Sequence, residues 1–435
     1  MRHEKLLRDP VHDLIIFDRD LPEDRLLLRV MDTPEVQRLR RIKQLGMAHM
    51  AYQGAEHSRF SHSMGVLHLT RRMLDRLAHD QPVSREWKLA TQLAGLLHDL
   101  GHGPFSHVME KFFREHHETW TERIILAPET GVNRLLTEFD RDLPRMVVDA
   151  LHGSAEPLWL NHIISSQMDA DRFDYLLRDS HMTGVKYGIF DLERLLMLLR
   201  VGSTGDRIVV STKGVLPVEK YLQSRYQMYR QVYFHKTVTA AEAMLMGVLS
   251  RARDMSTEGE VPHVAPGTPL AKLLSHDTIT VDEFLALDDS VLYNAMNLWS
   301  RCGDSVLKDL STRLLTRHLF KSVEVQRDEA EEDLLFSSRL RNAQDFLDQR
   351  GLDHRYYLRF SRSSDTPYRP YGSRGGKAVI WLEDDRNPGE YTDIKEVSPT
   401  IRAFTESPYT IIRAFFPDMA GTEPIRASMT HLLMG

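Results

Sequence analysis

The chain of 435 residues contains a single cysteine, Cys302. One cysteine can form neither an internal disulfide nor a multi-cysteine zinc module, and it suits a reducing compartment. No stretch approaches the roughly 20 uninterrupted apolar residues that a membrane-spanning helix needs. The amino-terminal MRHEKLLRDPVHD carries charges where a signal peptide has an apolar core. These absences predict a cytoplasmic protein that does not associate with membranes.

A strong charge of one sign is also missing. The formal net charge is −6, which neither indicates a nucleic-acid-binding protein nor excludes a local basic patch. Hydrophobic residues make up 42% and charged residues 27%, as in ordinary globular proteins. The length allows one large domain with a smaller one, or two to three domains of common size.

Apolar residues recur at three- and four-residue spacing through most of the first 325 residues, which predicts helices. The predicted helices span 33–47, 63–77, 87–100, 119–127, 141–152, 159–182, 190–200, 216–252, 280–300 and 304–320. The first of these begins at a Thr–Pro pair and ends at Gly46, as helix caps favour. Segment 206–218 contains several β-branched residues and predicts a strand pair or a loop.

The sequence changes character after about residue 325. In order, it has a charged connector at 325–333, a helix at 337–351, and β-rich runs at 354–362, 377–384 and 409–417. Segment 364–376 predicts a mobile loop. We therefore predict a mainly α fold, with a helical bundle over 1–325 and a small α+β region over 326–435 whose role the sequence leaves open.

Histidine is plentiful, with 21 residues, and LLHDLGHGPFSH contains three of them within twelve positions. His98 and Asp99 adjoin at a predicted helix end, where an isolated pair is usually solvated or part of a cap. His62 lies at the start of another predicted helix, and Asp171 lies on a third. The four side chains together give two imidazoles and two carboxylates, a mixed set that suits Mn, Fe, Zn or Ni.

The sequence motifs around these residues resemble those of a known family. DPVHD, DTPEVQRLRRIKQLG, HSRFSHSMGV, AGLLHDLGHGPFSH and DADRFDYLLRDS are similar to the HD-domain deoxynucleoside triphosphate triphosphohydrolases. The resemblance runs from about residue 5 to about 325 and is closest to the branch of the vertebrate SAM-and-HD-domain dNTPase, although we expect no SAM domain here. It implies the HD-domain helical bundle for residues 1–325.

The resemblance implies roles for the histidine-rich words. His62, His98, Asp99 and Asp171 would bind a divalent metal ion (Mn, Fe, Mg, Zn or Ni), which activates water for attack on the α-phosphorus. His102, His107 and His117 match the family's catalytic histidines. We expect His107 to protonate the leaving nucleoside oxygen, with Glu110 orienting it, and His102 and His117 to contact phosphate oxygens.

Substrate-binding residues follow from the same resemblance. The triphosphate would be bound by Arg59, Arg172, Arg225 and Lys236, with Arg172 in place of the vertebrate lysine. The deoxyribose would be selected by Gln44, Leu45, Tyr175, Asp179 and Tyr233, because a 2′-hydroxyl would be crowded and left without a partner. For Leu45 and Tyr175, plain core packing remains the alternative.

A second nucleotide site is one of two interpretations of the first predicted helix. Asp32, Gln37 and Arg40 match residues with which relatives bind an activating guanine nucleotide between subunits, and Lys5 and Arg194 align nearby. Arg8 departs from the vertebrate pattern. The alternative is a charged helix face at an oligomer contact, in a dimer or a tetramer.

These observations predict metal-dependent hydrolysis of dNTPs to deoxynucleoside and tripolyphosphate, with dGTP or GTP as a candidate activator. One alternative is another HD-domain reaction, that of a 5′-nucleotidase or a phosphodiesterase. A third is a nucleotide-sensing or nucleic-acid-binding regulator with a vestigial site. Weak binding of single-stranded nucleic acid through 36–41 and 369–376 stays open beside these, although such short charge runs are usually solvated.

Overall fold

The computed structural model describes residues 3–259, 261–325, 333–365, 368, 379–406 and 409–434. The predicted connector at 325–333 and the predicted loop at 364–376, including the cationic run 369–376, lie almost entirely outside these residues. Among the helices that are described, none is both long enough and apolar enough to cross a bilayer.

Helices dominate the described chain, which confirms the predicted mainly α class. The first are α1 (Pro22–Met31), α2 (Pro34–Arg38), α3 (Arg59–Leu77), α4 (Arg85–Leu97), α5 (His107–Phe113), α6 (His117–Leu126), α7 (Gly131–Phe139), α8 (Leu143–Leu151), α9 (Asn161–Ile164), α10 (Ala170–Thr183) and α11 (Leu192–Leu198). The others are α12 (Val215–Met228), α13 (Lys236–Glu258), α14 (Pro269–Ser275), α15 (Val281–Leu285), α16 (Asp289–Trp299), α17 (Ser305–Leu315), α18 (Asp333–Asp348), α19 (His354–Tyr357), α20 (Ile394–Val397), α21 (Pro399–Glu406) and α22 (Arg426–Met434).

Short strands form four small sheets in the described part of the chain. β1 and β2 form an antiparallel hairpin, as do β10 and β11, and the two larger sheets have the orders β3-β4-β7-β8 and β5-β9-β6. The strands are β1 (Glu4–Asp9), β2 (Asp13–Asp18), β3 (Leu199–Val201), β4 (Ile208–Ser211), β5 (Lys321–Glu324), β6 (Arg359–Asp365), β7 (Trp381–Glu383), β8 (Tyr391–Asp393), β9 (Tyr409–Phe416), β10 (Met419–Ala420) and β11 (Glu423–Pro424).

The centre of the bundle is formed by α3, which packs against both α4 and α10. Leu67 and Leu74 of α3, Leu93 of α4 and Phe173 of α10 are completely buried in one apolar core. Burying such a side chain contributes roughly 1.5–3 kcal/mol. The Ser84 hydroxyl begins α4 by accepting a hydrogen bond from the backbone N–H of Trp87 (3.2 Å). This core fixes the relative positions of the three helices that carry the predicted metal ligands.

The predicted helix 33–47 is wrong beyond its first turns. It ends at Arg38, continues as a 3-10 turn to Arg41, and becomes extended at Ile42 (φ −119°, ψ 115°). Lys43 forms an antiparallel bridge with Ser58 and donates its backbone N–H to Asp289 (2.9 Å). These tertiary partners replace the hydrogen bonds that a continuing helix would have made.

Four other long helix predictions run across breaks. In 159–182, the Asp169 side chain accepts a hydrogen bond from the N–H of Arg172 (2.8 Å) and starts α10 afresh. In 216–252, α12 ends in a π turn over Tyr229–Tyr233 before His235 caps α13. In 280–300, Asp288 caps a separate α16. In 304–320, α17 ends at Leu315, and the chain enters β5.

Strands from the two predicted regions are paired with each other. β4 pairs in parallel with β7, through Val210 and Leu382, and β5 pairs with β9 along four residues. Of the segment 206–218, only β4 is a strand, and its second partner is β3. The three β-rich runs contribute β6, β7 and β9, although 354–357 form a helical turn. The boundary near residue 325 stays a prediction.

Candidate active site

A cavity of about 770 Å³ lies between α3, α5, α10, α13 and the segment that follows α2. Its volume is within the range of about 300–1,000 Å³ that is common for ligand pockets. Most of the predicted catalytic and substrate-binding residues line it: Gln44, Leu45, Arg59, His62, Asp99, His102, His107, Glu110, His117, Asp171, Arg172, Tyr175, Asp179 and Tyr233.

The four predicted metal ligands come together beside this cavity. His62 comes from α3, His98 and Asp99 from the end of α4, and Asp171 from the first turn of α10. His62 Nε2 is 3.1 Å from Asp171 Oδ1 and 3.8 Å from Asp99 Oδ2. His98 Nε2 is 3.2 Å from Asp99 Oδ1 and 3.9 Å from Asp171 Oδ1. Ligand-type atoms of His62, His98 and Asp171 lie within 4.8 Å of one another, and Asp99 borders this group through both of its carboxylate oxygens.

Both imidazoles are oriented for metal binding. His62 Nδ1 donates to Asp174 Oδ2 (2.8 Å), and His98 Nδ1 donates to the backbone oxygen of Gly95 (3.0 Å). Among the described residues, neither Nε2 atom has a hydrogen-bond partner, although both are buried. A buried nitrogen left without a partner is costly, and a fixed Nδ1–H directs the Nε2 lone pair to a metal. The donor set thus fits a divalent cation.

The electrostatics of the site also favour a cation. Burial opposes the charged form of His62, but the carboxylates of Asp171 and Asp174 outweigh it and raise the pKa of His62 to about 10. Burial likewise opposes ionisation of Asp99, yet Arg59 and His98 hold its pKa well below the usual value. The carboxylates therefore stay ionised and set up a negative potential at the imidazole nitrogens.

Asp174 supports this arrangement from behind. It is fully buried and accepts hydrogen bonds from His62, from His12 Nε2 (2.6 Å) and from Arg178 (2.8 and 2.9 Å). The close approach of α3 and α10 depends on Gly65, because a Cβ there would lie 1.8 Å from Asp174 Oδ1. The sequence analysis missed Asp174, although its spacing of three from Asp171 on a helix was the available signal.

A second cluster adjoins the metal ligands. The His102 and His117 rings stack with centroids 3.9 Å apart, and His102 Nε2 is 3.3 Å from Asp99 Oδ1. Glu110 accepts hydrogen bonds from His117 Nδ1 and from His107 Nδ1, the latter at 3.1 Å. His102, His117 and Asp99 also form a compact group of ligand-type atoms. One carboxylate thus orients two of the three predicted catalytic histidines.

The histidines of this cluster differ in charge. Burial and the nearby Arg59 hold the pKa of His102 well below its usual value, so its ring is neutral. Burial acts against the charged form of His117 too, but the Glu110 carboxylate prevails and raises the pKa of His117. Glu110 therefore favours the charged form of His117 beside the cavity, whereas the side chain of His107 is 68% exposed.

The loop between α4 and α5 has a strained backbone held by distant residues. Phe105 and Ser106 have φ values of 50° and 45°, in the left-handed region. Asp289 accepts a hydrogen bond from the Phe105 N–H (2.8 Å), and the buried Arg38 donates to the backbone oxygen of His102 (2.9 Å). Ser106 accepts a hydrogen bond from Arg59 (2.9 Å). These contacts fix the positions of His102 and His107.

Some of the predicted sugar-binding residues already form hydrogen bonds within the protein. Asp179 accepts hydrogen bonds from His57 Nε2 and from the Tyr233 hydroxyl, both at 2.7 Å. Gln44 Oε1 is buried and has no hydrogen-bond partner among the described residues. The rings of Tyr175 and Tyr233 meet edge to face, 6.1 Å apart. Gln44 therefore keeps an acceptor available for a ligand hydroxyl.

Two predicted phosphate-binding residues are not among those that line the cavity. Arg225 donates to Gln167 Oε1 (3.3 Å), and Lys236 is exposed at the start of α13. The five residues predicted for an activating nucleotide lie outside the lining as well. Gln37 and Arg40 bond each other (2.8 Å), whereas Lys5, Asp32 and Arg194 are exposed on β1, after α1 and on α11.

The cavity also has a wall that the sequence analysis missed. Residues 359–363 of β6, including Arg359 and Arg362, line it together with Lys111 and Glu242. The β-rich run 354–362 predicted a strand but gave no sign that this strand would border the site. Only the pairing of β6 with β9 brings it there.

Comparison with known proteins supports the predicted resemblance. Residues 59–179 match the HD domain, and residues 190–261 match the HD associated region. The chain is 37% identical over 428 residues to the uncharacterized protein YwfO of Bacillus subtilis, covering 96% of this chain and 93% of that protein. It is 31% identical over 287 residues to the human deoxynucleoside triphosphate triphosphohydrolase SAMHD1, covering 58% of this chain and 45% of the human protein.

Two solved structures are similar to this chain over nearly its whole length. A phosphohydrolase from Bacteroides thetaiotaomicron is similar with a TM-score of 0.80 and 28% identity, covering 95% of this chain and 99% of that one. A hypothetical protein from Aquifex aeolicus is similar with a TM-score of 0.73 and 28% identity, covering 99% of this chain and 100% of that one. The chain belongs to the HD-domain phosphohydrolase family.

Proposed function

We propose that the protein hydrolyses deoxynucleoside triphosphates to deoxynucleoside and tripolyphosphate with a divalent metal ion. The observation that carries this proposal is the pair of buried Nε2 atoms of His62 and His98, which have no hydrogen-bond partner among the described residues. They lie between Asp99 and Asp171, beside a cavity of nucleotide-binding size. The ion would be bound by these four residues. Mn, Fe, Zn and Ni suit the mixed donor set, and Mg stays a candidate from the resemblance. When bound, it would activate water and polarise the phosphoryl group.

The residues of the second cluster supply charge and a proton. His117, held as a cation by Glu110, would bind a phosphate oxygen, and neutral His102 would donate a hydrogen bond to another. His107 would protonate the 5′-oxygen of the departing nucleoside, because its Nδ1 is bonded to Glu110 and its other nitrogen remains available. Arg59, Arg172, Arg225 and Lys236 remain proposed phosphate contacts.

Selection for deoxyribose would follow from the wall opposite the metal ligands. Gln44 and Asp179 would form hydrogen bonds with the 3′-hydroxyl, and Leu45 and Tyr233 would crowd a 2′-hydroxyl. An added hydroxyl that finds no partner in such a pocket is penalised by desolvation. Ribonucleotides are therefore expected to react more slowly.

Regulation belongs to the proposal as well. A homo-oligomer with a guanine nucleotide bound at Lys5, Asp32, Gln37, Arg40 and Arg194 would link activity to assembly. Arg38, which lies between Gln37 and Arg40 on the chain and donates to the backbone oxygens of His102 and Leu287, gives that segment a direct mechanical link to the catalytic loop. Activity would then depend on protein concentration.

The test incubates the purified protein with Mn²⁺ and each dNTP separately, then with dGTP added, and identifies products by chromatography. We expect deoxynucleoside and intact tripolyphosphate, with less product from the corresponding NTPs. Release of orthophosphate or pyrophosphate alone, or faster turnover of NTPs, would contradict the proposal.

A further inference from the structure

β6 brings two arginines of the C-terminal region into the candidate active site. Arg359 and Arg362 line the same cavity as His62 and Asp171, and the residues between them line it too. Successive side chains of a strand point to opposite faces, so the cavity meets the edge of β6 and not one face. β9 pairs with the opposite edge and holds the strand in place.

These two arginines have no anionic partner in the described chain. Arg359 donates to the backbone oxygen of Arg355 (3.2 Å), and no described carboxylate lies within ion-pair distance of it. Burial alone accounts for the lowered pKa of Arg359, as expected for a cation removed from water with no anion beside it. Arg362 is exposed and forms no ion pair with the described residues.

Two of the three arginines that the resemblance assigns to phosphate binding already have a carboxylate partner. Arg59 is paired with Asp99, and Arg172 is paired with Asp169. Each can still donate hydrogen bonds, but its charge is already balanced by a buried carboxylate. A triphosphate carries several negative charges, so its binding needs cations that are not already balanced in this way.

Lys111 adds a third such cation on the neighbouring wall. It lies one helical turn beyond His107 on α5, lines the cavity and makes no ion pair with the described residues. Glu242 of α13 lines the same part of the cavity, and burial raises its pKa while Lys111 and His107 act in the opposite direction. Glu242 therefore lies near Lys111, whereas Arg359 and Arg362 pair with no described carboxylate. Ser361 Oγ, buried and without a hydrogen-bond partner among the described residues, adds a donor.

We propose that Arg359, Arg362 and Lys111 form an anion-binding extension of the candidate active site, which binds the terminal phosphates of a nucleoside polyphosphate. The identity of the nucleotide rests on the proposed function, whereas the binding of a polyphosphate anion does not. A guanidinium fork binds two phosphate oxygens at once, which suits an extended phosphate chain. The C-terminal region thereby contributes to substrate binding.

The first arm of the test measures anion binding without turnover. Inorganic tripolyphosphate is titrated calorimetrically into the full chain, without added metal and at low salt, for wild type, Arg359→Gln, Arg362→Gln and the double variant. We expect the double variant to bind at least about tenfold more weakly. Arg386→Gln removes an exposed arginine that does not line the cavity and serves as the matched control, with binding unchanged.

The second arm uses the length of the phosphate chain. If dNTPs are substrates, the double variant should lose more kcat/KM with a dNTP than with the matching dNMP, chiefly through KM. A loss that is equal for both, or one that depends on the base and not on the phosphate chain, overturns the assignment to phosphates. Unchanged tripolyphosphate binding overturns the site itself.

Two further variants keep these outcomes interpretable. Arg359→Lys retains the charge and should retain most of the affinity, which a purely structural role of the guanidinium would not predict. If Arg359→Gln melts early, Lys111→Gln tests the same site from α5. Should no dNTP be hydrolysed while tripolyphosphate binding is still lost in the double variant, the proposed function fails and the anion site stands.

Discussion

At the scale of single residues, the site depends on which polar atoms already have hydrogen-bond partners within the protein. His62 and His98 each donate a hydrogen bond from Nδ1, and their buried Nε2 atoms have no hydrogen-bond partner in the described part of the chain. The sequence could predict these four candidate ligands because each lies in a recognisable sequence motif. Asp174 could have been inferred from its spacing of three from Asp171 on one helix. The place of Arg359 at the site could not, because it depends on the pairing of β6 with β9.

Asp171→Ala tests the ligand assignment at this scale. Loss of a group that merely orients a ligand typically weakens metal binding by about 10–100-fold, so loss of a ligand should cost more. Turnover should disappear with the metal, while the metal-free variant keeps its melting temperature, because the Asp171 side chain is 32% exposed and its ion-pair partners are the two histidines. Calorimetric titration with Mn²⁺ measures the affinity, with Asp75→Ala, an exposed position on α3, as control. Metal binding and turnover at wild-type level would place the site elsewhere.

At the scale of elements, helix existence was predictable and helix ends were not. The spacing of apolar residues correctly located α3, α4 and α8, each of which is an uninterrupted helix. The same spacing wrongly extended the predicted helices 33–47 and 159–182 across helix breaks. At these breaks the carboxylates of Asp289 and Asp169 accept hydrogen bonds from backbone N–H groups, and no spacing rule reveals such a partner. The predicted strand of the run 354–362 was confirmed as β6, yet its place at the cavity follows only from pairing with β9.

The free energy of unfolding should depend on pH through His68, a residue of α3 that packs against the β1–β2 hairpin. Burial, together with His12, Arg72 and Arg71, lowers the pKa of His68 to about 4. The unfolded chain takes up this proton near pH 6.5 and the folded protein only near pH 4, so the stabilisation by neutral His68 is complete above pH 6.5 and is lost as the pH falls toward 4. The loss should be of the order of 1–3 kcal/mol, allowing for partial exposure.

Thermal unfolding between pH 4.5 and 7.5 measures this effect. His68→Gln should lose less stability on acidification than wild type, because Gln takes up no proton. His79→Gln, at an exposed position near the end of the same helix, should follow the wild-type curve. Parallel curves for wild type and His68→Gln would show that His68 is not the responsible group.

At the scale of the whole molecule, the C-terminal region is joined to the bundle by shared sheets. β9 lies between β5 and β6, and its Phe415 and Phe416 are completely buried. The parallel pairing of β4 with β7 gives a second connection. The sequence placed a boundary near residue 325 from the change in composition alone, which cannot reveal strands that pair across it.

A chain ending at residue 325 tests whether the helical bundle folds independently of the C-terminal region. We expect it to melt well below the full chain and to bind metal weakly, because removing β6, β7 and β9 exposes buried apolar surface, leaves β5 without its partner and leaves β4 paired with β3 alone. Circular dichroism melting of both chains, with calorimetric Mn²⁺ titration, makes the comparison. A truncated chain with full-length stability and metal affinity would establish residues 1–325 as an autonomous domain.

The central claim is that the residues around His62, His98, Asp99 and Asp171 direct water to the α-phosphorus of a dNTP. Hydrolysis in H₂¹⁸O, followed by mass spectrometry of the products, tests it most directly. The account predicts one ¹⁸O atom in tripolyphosphate and none in the deoxynucleoside. Label in orthophosphate, in pyrophosphate or in a deoxynucleoside monophosphate would contradict it, because attack would then have occurred at another bond.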